Sequence, residues 1–281
     1  MRSFYSVFLL FVAFPSFALD VTLYIHKDSS EVYGRIVHGC AFNTTDTYSS
    51  KSALLRVGVG EALNVTIINR DTLEHTFTID DELSTGNVIA PNGTATFTVT
   101  LNAAGSYRYY SDRSYGALIG AGGIILVGHQ PYPAFYWNLF DLNSSATHGL
   151  ASGQLVAIPT PYEPDLFFMN GTHFPLTLDD PDTYVNVQLG DTVVISIVNG
   201  GNMEHVFHFH GFHIRILDSK MQPERAGWIK DTFPVKMGEA MTVMLVAGQV
   251  GTYPVHDHFL IAVTNAGLYP GGMLTLINVN Q

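Results

Sequence analysis

Apolar runs along the chain are short, rich in Val, Ile, Thr and Tyr, and broken at close intervals by Gly, Asn and Asp. That is the pattern of strands joined by turns. Two such stretches match each other at a constant offset of 130: VGVGEALNVTIINRDTLEHTFTID from Val57 and VQLGDTVVISIVNGGNMEHVFHFH from Val187. The match aligns Gly60 with Gly190, Asn69 with Asn199, Glu74 with Glu204 and His75 with His205. A second pair, GSYRYYSDR from Gly105 and GTYPVHDHF from Gly251, matches at an offset of 146 and sets Tyr110, Ser111 and Asp112 against His256, Asp257 and His258. The expected fold class is therefore all-β: two tandem β-sandwich domains of roughly 110 residues each.

The first 18 residues read as a signal peptide, with Arg2, an apolar run from Phe4 to Phe14 and small residues before the cleavage position. Domain 1 is then expected over 19–130 and domain 2 over 164–281. The Pro-, Gly- and Ser-containing stretch 131–163 between them reads as a connector draped over the surface. No second long apolar stretch follows the signal, so no stable membrane span is expected.

Of 281 residues, 47% are apolar and 13% charged, enough apolar material for a sizeable core. The formal charge is −11, and −12 once Arg2 leaves with the signal. That balance excludes a nucleic-acid partner, which needs a cationic footprint. There is one cysteine, Cys40, so no intrachain disulfide forms. Cys40 reads as a buried free thiol, with a small metal or redox role as the other reading.

Twelve histidines occur, six of them in two short motifs: His205, His208, His210 and His213, then His256 and His258. Residues two apart on a strand share a face. His208 and His210 therefore project together, as do His256 and His258, and neighbouring strands would converge four imidazoles on one metal site. Nitrogen-rich sites of this kind suit copper or zinc. His205 and Asp257 have the opposite parity. They read either as a hydrogen-bonded histidine–carboxylate pair on the far side or as a second, weak metal site. His26, His129, His148 and His173 read as structural or exposed.

MEHVFHFHGFH resembles the His-Pro-Phe-His-Leu-His-Gly-His stretch in the last domain of the multicopper oxidases. GTYPVHDHF is similar to that family's stretch ending in His-Cys-His, AGLYPGGM to the Gly-Met close of the last strand, and FFMNGTHFP to the segment that opens the domain. The resemblance implies cupredoxin-like Greek-key domains. It makes His208, His210, His256 and His258 trinuclear-cluster ligands and His205 a type 1 copper ligand. The cysteine of that copper is Asp257 here, and its second histidine is Ala262. A blue copper site is therefore not expected. The matching positions of domain 1 are Thr78, Asp80, Tyr110 and Asp112, none of them histidine. Asp80, Tyr110 and Asp112 are either oxygen ligands or ordinary polar strand residues. The two-domain members of the family imply a homotrimer. The expectation is an exported copper-binding protein, periplasmic or extracellular. The alternatives are a copper-dependent oxidoreductase with one or two metal ions and a non-metal partner-binding scaffold.

Overall fold

A computed structural model describes residues 18–80, 82–83, 88–155 and 157–281. The expected signal peptide lies outside the described residues, except for Ala18, which opens the first strand, Ala18–Val32. The architecture is all-β and cupredoxin-like, with four sheets forming two sandwiches in tandem.

The first sandwich pairs a sheet in the order Arg35–Asn43, Ala18–Val32, Ala62–Asn69, Thr94–Thr100 with one in the order Leu54–Val57, Gly122–Val127, Gly105–Tyr110, Thr78–Ile79. Strand Ala62–Asn69 shows why it forms. Leu63, Val65 and Ile67 point into the core, while Asn64, Thr66 and Ile68 alternate outward. The second sandwich pairs a six-stranded sheet with a five-stranded one. The six-stranded order is Leu166–Met169, Ala134–Leu142, Thr192–Asn199, Ala240–Val246, Ile214–Ser219, Ile229–Lys230. The five-stranded order is Val185–Gln188, Leu274–Asn280, Gly251–Asp257, His205–Phe209, Thr232–Val235.

The internal repeat is realised residue by residue. The Asn69 side-chain amide donates to the carbonyls of Leu73 (2.8 Å) and Ile89 (3.0 Å), and that of Asn199 donates to Met203 (2.8 Å) and Val235 (3.0 Å). Each asparagine closes the same turn beneath its histidine. Gly60 and Gly190 both take positive φ, +74° and +92°, which a side chain would strain.

The repeats diverge where they meet. Strand Thr192–Asn199, the counterpart of Ala62–Asn69, is buried on both faces. Val193, Ile195 and Ile197 join the core around Trp137. Val194 and Val198 pack with Ile124 and Leu126 of the first sandwich. Ser106 anchors that contact through its hydroxyl, 2.6 Å from Ser196 Oγ and 2.7 Å from Thr242 Oγ1.

The segment 131–163 differs from the expected surface connector. Ala134–Leu142 is a strand whose residues are nearly all buried, parallel to Thr192–Asn199 and antiparallel to Leu166–Met169. It sits inside the sheet of the second sandwich. Buried on both faces, AFYWNLFDL has no alternation to betray it as a strand. The Pro, Gly and Ser content belongs to its flanks. After it, helix Ser144–Ala151 is capped by the Asn143 side chain, which accepts from Ala146 N–H, and packs Ala146, Leu150 and Ala151 into the first core.

Candidate metal centre

Strands His205–Phe209 and Gly251–Asp257 pair antiparallel, with His208 directly opposite His256 and Phe207 opposite Asp257. The pleat divides the motif by face. Phe207 and Phe209 turn inward and pack on Trp137, ring centroids 5.6 and 5.5 Å away. His208 and His256 turn outward and are half-buried, while His210 and His258 are exposed. The ring centroids of His210, His256 and His258 lie 4.6, 5.9 and 6.0 Å from that of His208. The expected four imidazoles therefore share one face.

The hydrogen bonds orient them. His256 Nδ1 lies 2.8 Å from the backbone carbonyl of Asp257. A carbonyl only accepts, so Nδ1 carries the proton and a neutral His256 presents its lone pair at Nε2. That Nε2 is 3.1 Å from His210 Nε2. His208 Nδ1 is 2.7 Å from the Thr232 hydroxyl, which leaves its Nε2 toward the same face. Burial, His208 and His256 together hold His210 below the ordinary imidazole value, favouring the neutral form that ligates metal. The residues fit a metal of the copper or zinc type: His208 and His256 are braced at Nδ1, and His210 and His256 bring their Nε2 atoms together.

Behind this face His205 is fully buried between two carboxylates. Its Nδ1 is 2.5 Å from Asp257 Oδ2, and its Nε2 is 3.1 Å from Asp141 Oδ1. Burial alone would lower its proton affinity. The hydrogen bonds it donates to Asp141 and Asp257 outweigh that and raise it to about 9. Both ring nitrogens donate to carboxylates, which only accept, so the doubly protonated ring offers no lone pair to the second reading of this pair as a weak metal site. Tyr162 donates to Asp141 Oδ2 at 2.5 Å, and Asp257 Oδ1 accepts from Phe259 N–H at 2.8 Å. Asp141 is the participant that sequence reasoning missed. It lies in the strand taken for a connector, and no local motif marks it.

The oxygen-ligand candidates of the first sandwich gather around their own partners. Thr78 pairs with Tyr110 across two strands. Arg108 donates to Asp80 at 2.8 Å and lies over the Tyr110 ring at 4.0 Å. Asp112 accepts from the Thr76 hydroxyl at 2.5 Å. Among the described residues no hydrogen bond links Asp80, Tyr110 or Asp112 to the four histidines. A cavity of about 580 Å³, lined by Asp80, Arg108, Lys220 and Met237, contains none of those histidines.

Fold and site together define a cupredoxin architecture with a surface histidine centre. Residues 157–270 match the multicopper oxidase family, which the chain resembles over that span. No curated protein sequence matches. Among solved structures, a blue copper oxidase from Nitrosomonas europaea is similar at TM-score 0.78 and 24% identity, over 93% of this chain and 86% of that one. A copper nitrite reductase from Nitrosomonas europaea is similar at TM-score 0.70 and 16% identity, over 94% of both chains. A laccase from Botrytis aclada is similar at TM-score 0.72 and 16% identity, over 95% of this chain and 53% of that one. At these identities the likeness establishes the shared fold. No helix among the described residues is long and apolar enough to cross a membrane.

Proposed function

We propose that this chain is an exported copper-binding protein whose ligands are His208, His210, His256 and His258, without a blue copper centre. The observation that carries the reading is the 3.1 Å approach of His210 Nε2 to His256 Nε2, with the His256 tautomer fixed from behind. Two ligand atoms about 2 Å from one ion sit about 3 Å apart. Bound copper would supply redox cycling between two oxidation states. The chain supplies the orientation: Thr232 holds His208, and the Asp257 carbonyl holds His256. Asp257 occupies the position of the blue copper cysteine. Its side chain holds buried His205, and no sulfur lies between the two histidines. The reading is a carrier, sensor or detoxification component, with zinc as a competing ion.

Exposure of His210 and His258 favours a second reading, a copper-dependent oxidoreductase whose metal stays open to a small substrate. Copper loading of the mature protein, followed by oxidase and small-substrate redox assays, separates the two. Tight binding without turnover supports the carrier. Turnover lost in His208→Ala and His256→Ala supports the enzyme. Failure to retain copper or zinc would contradict both and leave a scaffold.

A further inference from the structure

The first sandwich buries a second set of metal-type donors, chemically unlike the first. Cys40 Sγ, a carboxylate oxygen of Asp71 and a ring nitrogen of His75 lie within 4.8 Å of one another. All three residues are buried, at 2%, 5% and 1% exposure. They come from two parts of the chain: Cys40 from strand Arg35–Asn43, and Asp71 with His75, four residues apart, from the stretch after strand Ala62–Asn69.

The groups around them brace His75 and Asp71 on their far sides. His75 Nδ1 is 3.0 Å from Ser111 Oγ, and Nε2 is 2.9 Å from Asp71 Oδ2. Asp71 Oδ1 is held by Lys27 Nζ at 2.8 Å. The two inner atoms, His75 Nε2 and Asp71 Oδ2, thus face each other, and the two outer atoms are anchored. The second ring nitrogen and the second carboxylate oxygen are thus hydrogen-bonded to outer partners, as they are in metal ligands, while the first of each bonds the other. Cys40 adds the sulfur. It also lines a cavity of about 290 Å³ with Gly39, Tyr48, Ile119 and Gly120.

We propose that Cys40, Asp71 and His75 bind one divalent cation of the zinc class, separate from the four surface histidines. Sulfur, nitrogen and oxygen donors together suit zinc, at about 2.0–2.3 Å from the ion. From their present separations, side-chain rotation draws the three donors together. The proton now shared between His75 and Asp71 moves to Nδ1, which then donates to Ser111. Binding forms a sulfur–metal bond, breaks the Cys40 S–H bond and releases that proton to solvent. Thiolate and carboxylate balance the two charges of the ion, and Lys27 stays outside on Oδ1. Water from the cavity completes the coordination.

Cys40 is the only cysteine, so any thiolate–metal signal reports this site alone. Cobalt(II) is added to the full mature protein and to a variant carrying His208→Ala, His210→Ala, His256→Ala and His258→Ala. Thiolate-to-cobalt charge-transfer absorption is expected in both and is lost in Cys40→Ser. Ser111→Ala weakens cobalt binding about tenfold. X-ray absorption of the zinc-loaded fourfold variant should show one sulfur neighbour at about 2.3 Å. Absence of the charge-transfer band from folded protein saturated with cobalt, or a zinc shell of nitrogen and oxygen only, overturns the proposal. The fourfold variant keeps this result independent of copper binding at the surface.

Discussion

His75 and His205 occupy the same position in the two repeats, and both are buried, yet their surroundings differ in charge. His205 lies between two carboxylates, Asp141 and Asp257. His75 lies between one carboxylate, Asp71, and the hydroxyl of Ser111. A carboxylate only accepts, whereas a hydroxyl accepts or donates. The second repeat therefore demands a doubly protonated ring and supplies the charge to hold it. The first demands no extra proton, and Lys27 balances its carboxylate instead. The comparison shows how one turn, closed each time by an asparagine, supports two electrostatic designs once the residues around the ring change. It also places Asp257 at the back of the surface site, where its backbone carbonyl fixes His256 and its side chain fixes His205.

The strongest way to break the comparison is to remove one member of the doubly paired network. Asp141→Ala leaves the His205 ring nitrogen and the Asn202 N–H without their shared carboxylate acceptor. It should cost about 3–5 kcal/mol in denaturant unfolding. In the first repeat, where Ser111 stands at the position of Asp257, Ser111→Ala removes a neutral partner and should cost about 1–3 kcal/mol. Equal losses would show that the two rings are held alike.

The two networks should also fail at opposite ends of the pH scale. The folded value of His205 lies above its unfolded value, so its contribution is complete below about 6.5 and is lost as pH rises through about 9. For Asp71, burial alone would raise the value. Hydrogen bonds from His75 and Lys27 prevail and hold it at about 2. Its contribution is therefore present above about 3.9 and lost as pH falls through about 2. Melting temperature against pH should show an alkaline decline that Asp141→Asn flattens and an acid decline that Asp71→Asn flattens. A single decline abolished by either variant would remove the distinction.

The shared part of the repeats is sharpened by the asparagines. Asn69→Ala and Asn199→Ala each strand buried backbone carbonyls and should destabilise by similar amounts, about 1–3 kcal/mol. A clear inequality would mean that the turns are not equivalent. The smallest expected effect lies at the surface site. Thr232→Val removes the hydroxyl beside His208 Nδ1 and should weaken copper binding about tenfold with little change in unfolding free energy. A loss of stability instead of affinity would assign Thr232 to the fold alone.

Much of this was legible in the sequence because it follows from period and offset. Strand parity put His208 and His256 on one face and His205 with Asp257 on the other, and the paired strands carry that parity directly. The 130-residue offset aligned Asn69 with Asn199, whose side chains make the same bonds. What stayed hidden needed contacts distant in sequence. Strand Ala134–Leu142 is buried on both sides, so periodicity gave no sign of it. Asp141 reaches His205 across 64 positions. Asp71 and His75 lie four residues apart, but Cys40 joins them only when strand Arg35–Asn43 closes on that stretch.

Copper stoichiometry and paramagnetic resonance of the copper-loaded protein test the central claim most directly. One or two copper ions per chain, a non-blue spectrum and couplings from histidine nitrogens are expected. Those couplings disappear in the His208→Ala, His256→Ala double variant while the protein remains folded. Copper retained with unchanged nitrogen couplings in that variant, or none retained by the parent protein, would contradict it.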